Sequence, residues 1–179
     1  MTEAPRVRLR DVTLADADML DDWSADPVLG GELNDFGLEP RPIDREALRR
    51  GPLRNERNGQ LIVERIADQV PLGTVGWHKV GYGPGTASEA WNIGIELLPH
   101  ARGQGYGAEA QAQLASFLFA QTPMNRIEAQ TDVENIAEQR ALEKAGFTRE
   151  GVARGSQFRA GTYHDLVTYS ILRNEVDGV

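Results

Sequence analysis

Residues 92–119 read NIGIELLPHARGQGYGAEAQAQLASFLF: an apolar strand, a proline at 99, the run Arg102 to Gly107 (RGQGYG), and then a helix. Glycines at 103, 105 and 107 let the backbone approach a ligand closely. The first turn of the following helix leaves N–H groups without helical acceptors, all directed toward an anion. The stretch therefore predicts a phosphate grip at a strand-to-helix turn. An ordinary glycine-rich turn has the same composition, so the flanking chain must decide between the two.

Upstream, residues 90–98 are apolar almost without a break and read as a strand buried on both faces. Leu61 to Ile66 and Leu72 to Val80 read as antiparallel neighbours turned at 67–69, and residues 81–88 as a flexible connection. Val7, Leu9 and Val12 mark a first strand. Thr13 then caps a helix carrying Leu14, Ala17, Met19, Leu20 and Trp23 that ends before Pro27. Residues 28–42 lack a period and read as a long loop, the kind that often carries function, followed by a short helix from Asp44 to Arg50. Downstream, Pro123 stops the helix after the glycines, 126–131 is a strand, and 135–145 is a helix stopped by Gly146. Residues 147–154 and 166–172 are closing strands. The order β-α-α-β-β-β-α-β-α-β-β predicts an α/β (α+β) fold with helices on both sides of a mostly antiparallel sheet.

Length excludes little beyond a second domain: 179 residues are expected to form one, spanning 1–179. The opening residues have no apolar core of a signal peptide, and no apolar run approaches a membrane span, so a cytoplasmic protein is expected. With no cysteine and three scattered histidines, His78, His100 and His164, neither a thiol nucleophile nor a metal site is readable. A net charge of −8 disfavours a nucleic acid as the main partner, since phosphate neutralisation needs a basic surface.

Two phosphate readings compete on the residues alone. Gly103, Gly105 and Ala108 fit the dinucleotide pattern G-x-G-x-x-[GA], with Glu128 or Asp132 where a ribose acid is expected. That pattern belongs to the first strand of a repeated parallel unit, however, and here it follows several strands with too little chain after it. No Lys-Ser/Thr follows the glycines, so a P-loop is absent.

Arg102-x-x-Gly105-x-Gly107 resembles instead the acyl-CoA pyrophosphate motif, [QR]-x-x-G-x-[GA], of the GNAT N-acetyltransferase superfamily. Asn135-Ile-Ala-Glu138 leading into Ala141-Leu-Glu-Lys-Ala-Gly-Phe147 is similar to the family's N-x-x-S…L-E-K-x-G-F segment. Glu150-Gly151, Gly161, Tyr163, Asp165 and Tyr169 resemble the tail of its RimJ/RimL-like branch. The motif-bearing core runs over 89–172. The resemblance implies a single domain with about seven strands and about four helices, whose central strands splay to admit acyl-CoA. It also implies acetyl-CoA as donor, no metal, and homodimers as a common assembly. By the same resemblance, Leu97 and Leu98 would meet pantetheine or the thioester through backbone N–H groups. Arg102, Gly103, Gln104, Gly105, Tyr106, Gly107 and Ala108 would hold the pyrophosphate, and Asn135 would point at the cofactor.

The proton-transfer positions depart from the family pattern. Glu138 stands where a serine is usual in that branch, Leu142 where another branch has an acid tyrosine, and Gln157 where some relatives carry a carboxylate. Glu138, three residues after Asn135 on one helix face, is the first catalytic candidate. Glu96 is the second, because a carboxylate buried in an apolar strand is expected to have a raised pKa suited to a base. Trp23, Asp35, Phe36, His78 and Tyr163 are candidates for an acceptor groove, with Glu32 and Glu39 as further acidic partners for an ammonium group. The expected activity is acetyl transfer to a primary amine, either a small molecule or a peptide N-terminus. The alternatives are another donor (a longer acyl-CoA, a carrier protein or an aminoacyl-tRNA) or a CoA-binding protein without catalysis.

Overall fold

The computed structural model describes residues 4–176, so the ends of the expected 1–179 domain, residues 1–3 and 177–179, lie outside the described residues. Seven strands, β1 (Val7–Asp11), β2 (Asn58–Arg65), β3 (Pro71–Gly81), β4 (Glu89–Leu97), β5 (Arg126–Asp132), β6 (Thr148–Arg159) and β7 (Thr162–Leu172), form one sheet in the order β1-β2-β3-β4-β5-β7-β6. Every neighbouring pair is antiparallel except β4–β5. The helices are α1 (Ala17–Ala25), α2 (Pro27–Gly30), α3 (Arg45–Arg50), α4 (Tyr106–Gln121) and α5 (Ile136–Lys144). This is the mixed, mostly antiparallel α/β architecture read from the sequence.

Strand alternation sends one set of side chains to each face of the sheet. Leu61 and Val63 of β2, Val75 and Trp77 of β3, Trp91 and Ile93 of β4, Ile127 and Ala129 of β5 and Val167 and Tyr169 of β7 pack with Leu114, Leu118 and Phe119 of α4 and Leu142 of α5. On the other face Ile62 packs with Val12, Ala17, Leu20 and Leu48, so α1 and α3 cover only the β1–β2 end. The small residues Ala110 and Ala115 of α4 are buried against the first face, as their size allows.

Buried charge fixes the entry to α1. Arg10 forks onto both Asp16 oxygens at 2.9 and 2.8 Å and reaches Glu64 at 2.5 Å, and Thr13 donates its backbone and side-chain protons to Asp16. The Arg10 guanidinium holds the Asp16 carboxyl down to about 2, below its usual range.

Three expectations need correction. The 28–42 segment is not all loop: Pro27 opens the one-turn α2, Asp26 caps it by accepting from Val28 N–H at 2.9 Å, and a 3₁₀ turn follows at Glu32–Asn34. The closing strands are longer than read, because Ala160 and Gly161 both take positive φ (48° and 82°) and form the tight turn that twisted hairpins require. Finally, β4 is not buried on both faces, since Gly94 and Glu96 are exposed.

Candidate active site

The exposed end of β4 follows from how it pairs. With β3 its ladder runs from Gly81↔Glu89 to Gly73↔Leu97, but with β5 it extends only from Trp91↔Ile127 to Ile93↔Ala129. Past Ile93 the two parallel strands diverge into a fork with tips at Leu97 and Asp132. Leu98 donates its N–H to Leu72 O at 2.9 Å, which commits it to β3. Donors alternate sides along an antiparallel ladder, so the N–H groups of Ile95 and Leu97 face the fork. The Leu97 donor is thus left facing the fork, whereas the Leu98 donor is already used.

Beside the fork stands the glycine run. Gly103 and Gly105 take φ of +71° and +84°, and Gly105 caps α4, whose first helical bond runs from Glu109 N–H to Gly105 O at 3.3 Å. The N–H groups of Tyr106, Gly107 and Ala108 therefore have no helical acceptor and form the anion-facing turn. Gly107 differs from its neighbours: a Cβ there would meet Leu97, Ile95 and Ala141 only at ordinary distances of 3.5 to 4.0 Å. Its bare backbone keeps the space between β4 and α5 open.

The side chains of this loop have local duties. Tyr106 is buried in the core with Arg6 stacked 5.1 Å above its ring, and Gln104 Nε2 folds back onto His100 O at 2.6 Å. Arg102 Nε donates to Leu97 O at 2.8 Å and its Nη2 to Leu29 O, so its hydrogen bonds join the loop to β4 and α2. Arg6 donates to Gln104 O at 3.0 Å, and Glu109 accepts from the backbone N–H groups of Arg6 and Val7 at 2.7 and 3.0 Å. Together they pin the start of β1 to the loop.

On the far side of the fork, Asn135 caps α5 by accepting from Glu138 N–H at 3.2 Å. Its carbonyl oxygen thus serves the helix. Glu138 packs between α5 and α4, where burial pushes its carboxyl up to about 7 while the Gln111 amide pulls it down. Gln111 itself is buried; its Nε2 donates to Gly107 O at 3.2 Å and its Oε1 has no partner among the described residues. Nothing in the sequence singled out Gln111, because its position on α4 acquires meaning only when α5 packs against it.

Glu96 departs from expectation. It is exposed rather than buried, so the apolar enclosure expected of it is missing, and no ion pair holds it among the described residues. It stands where two hollows meet. The smaller, of about 290 Å³, is lined by Trp23, Leu29, Leu97 and Leu98. The larger, of about 1420 Å³, crosses the sheet face left bare by α1 and α3 and brings together Trp23, Asp35, Phe36, His78, Glu39 and Gln157. Tyr163 is not in this groove: it is 69% exposed on the β6–β7 hairpin, edge-on to Phe158 with centroids 5.2 Å apart. Glu32 contributes its backbone instead, accepting from Arg159 Nη1 at 2.7 Å.

Both acids available to a dinucleotide reading, Glu128 and Asp132, are occupied by protein. Glu128 accepts from Tyr82, from Arg126 at 3.0 Å and from Asn92 at 3.3 Å, and Asp132 is paired with Arg159. The antiparallel sheet completes the exclusion.

A mostly antiparallel sheet, forked between its single parallel pair with a glycine-capped helix beside the fork, defines the class as the acyltransferase fold that the sequence resembles. The chain belongs to the GNAT acetyltransferase family, whose domain model, "Acetyltransferase (GNAT) domain", matches residues 6–148. Over 176 residues it is 28% identical to the "Uncharacterized N-acetyltransferase p20" of Bacillus licheniformis, covering 97% of this chain and 96% of that one. Solved structures of similar fold include RimL, the ribosomal L7/L12 α-N-protein acetyltransferase in complex with coenzyme A (TM-score 0.74, 16% identity, 97% of each chain). Another is the spermidine N-acetyltransferase from Vibrio cholerae in complex with CoA and spermine (TM-score 0.74, 18% identity, 95% of this chain and 97% of that one).

Proposed function

We propose that the chain, working as one domain, transfers an acetyl group from acetyl-CoA to a primary amine by direct attack in a ternary complex. The observation that carries this reading is the fork. It leaves the Ile95 and Leu97 N–H groups unpaired by β5 beside a helix N-terminus capped by Gly105, a fitting receptacle for a pantetheine arm that ends in a pyrophosphate.

The backbone from Gly103 to Ala108 would hold the pyrophosphate, and Leu97 N–H would polarise the thioester carbonyl. The neutral amine attacks the carbonyl carbon, a C–N bond forms and the C–S bond breaks. The proton lost by the amine passes through water toward Glu96, and the departing sulfur takes a proton from Glu138, which solvent then restores. A carboxyl held near 7 is matched to that donation.

For the acceptor we favour a small cationic amine over a peptide N-terminus. Asp35, Glu39 and Glu96 line the groove that leads to the fork, with Trp23 and Phe36 offering apolar walls. The neighbours acting on spermidine and on a ribosomal protein span both choices. A cytoplasmic location goes with the acetyl-CoA requirement, and among the described residues no helix is long and apolar enough to cross a membrane. Homodimer assembly is part of the proposal, supported by the exposed Phe158–Tyr163 pair and checked by sedimentation.

Calorimetry with CoA tests the donor assignment. Gly105→Val places a Cβ 3.0 Å from Arg6 at a φ of +84°, so binding should be abolished; unchanged affinity sinks the assignment. A thiol-release assay with acetyl-CoA against a panel of amines and peptides tests the reaction, and tight CoA binding with no turnover on any acceptor overturns it.

A further inference from the structure

The two tips of the fork are joined by a piece of chain that belongs to neither strand. Arg102, just past β4, holds the carbonyl of Leu97 at 2.8 Å and, through Nη2, the carbonyl of Leu29. At the other tip Arg159 of β6 pairs with Asp132, the last residue of β5, and donates at 2.7 Å to the carbonyl of Glu32. Residues 29–32 are thus suspended between two guanidiniums, one rooted at each tip. Gly31, with φ +75°, makes the bend between the anchor points.

The Arg159 anchor is poorly explained by stability. Both partners of its ion pair are 4% exposed, and the Arg159 Nε–H is buried without an acceptor among the described residues. A buried pair with one donor unfilled is weak support for a fold, so its position asks for another reason. His164 completes the cluster, with Nδ1 3.5 Å from Asp132 and Nε2 3.2 Å from Arg159 O, which fixes the hairpin end of the anchor.

We propose that residues 29–32 form a strap across the open end of the β4–β5 fork, retaining the pantetheine arm beneath it. Arg159 is then a positioning residue for the donor, although it touches no cofactor. This rests on the reading of the fork as an acyl-CoA site. Arg102 serves the phosphate loop and the strap together, whereas Arg159 joins the strap to the β5 tip without touching the phosphate loop.

Two ligands separate these roles: CoA, and 3′-phosphoadenosine 5′-diphosphate, which carries the nucleotide and phosphates without the arm. By calorimetry, Arg159→Gln should weaken CoA about tenfold or more while changing the truncated ligand less than about twofold, and Arg102→Ala should weaken both. Equal losses for the two ligands in Arg159→Gln, or no loss for CoA, overturn the strap. Should Arg159→Gln fail to fold, amide exchange on the wild type decides. CoA, but not the truncated ligand, should slow exchange across residues 29–33, and identical protection by both, or by neither, refutes the proposal. If the wild type binds neither ligand, the acyl-CoA reading falls and the strap with it; intact binding with matched losses removes the strap alone.

Discussion

Glu138 shows what a single side chain adds when its surroundings are known. A native carboxyl raised from 4.5 to about 7 binds its proton more tightly than the unfolded chain does. The folded state therefore gains most below pH 4.5 and loses that gain as pH rises through about 7. Glu138→Gln, always neutral, should be more stable than the wild type above pH 7, by at most on the order of 3 kcal/mol, with the gap closing in acid; urea unfolding across pH reads this directly. The same variant should lose about tenfold or more in kcat, and should lack the fall in kcat expected of the wild type as pH rises through 7. Full retention of kcat would remove Glu138 from the chemistry. Asn135 and Glu138 were legible as neighbours from their spacing. The partner Gln111 and the committed Leu98 N–H were not, because each is decided by an element distant in sequence.

Among elements, strands and helices with a clear period were readable, including the sequence of motifs from β4 to α5. The fork was implied by family resemblance, yet its physical cause is a three-residue parallel ladder, and no local signal records where a ladder stops. The bare face of β4 went unread for the same reason: its apolar run suggested two covered faces, while α1 and α3 reach only as far as β2. Gly107 lets the opening be tested apart from stability. Its backbone needs no glycine and the space tolerates a Cβ, so Gly107→Ala should leave the melting temperature unchanged or higher, with about 0.5–1 kcal/mol available from helix propensity. Gly107→Val should fold as well, yet bind CoA weakly by calorimetry, because the bulk fills the passage between β4 and α5. A Gly107→Val protein with wild-type affinity would show that the arm does not run there.

At the scale of the whole molecule, a net charge of −8 surrounds a groove that itself carries Asp35, Glu39 and Glu96. Attraction between such a field and a polycation is screened beyond about 8 Å at physiological salt. Raising salt from about 0.02 to 0.3 M should lower kcat/KM for a polyamine several-fold, through KM rather than kcat, and move a monoamine much less. Steady-state kinetics with the two acceptors would settle it, and equal salt slopes would contradict the preference for a cationic acceptor. Charge could be counted from the sequence, but its placement along one groove needed the fold.

The sheet has two outer borders, β1 and β6, and they are not equally available. At Val7 the outward N–H is taken by Glu109, and the carbonyl accepts from Gln113 Nε2 at 2.8 Å, so α4 occupies the border of β1 where another strand would begin to pair. The contacts that bring the start of β1 to the glycine loop therefore also guard that border against unintended polymerisation, leaving the β6 side as the direction in which the sheet can still be extended.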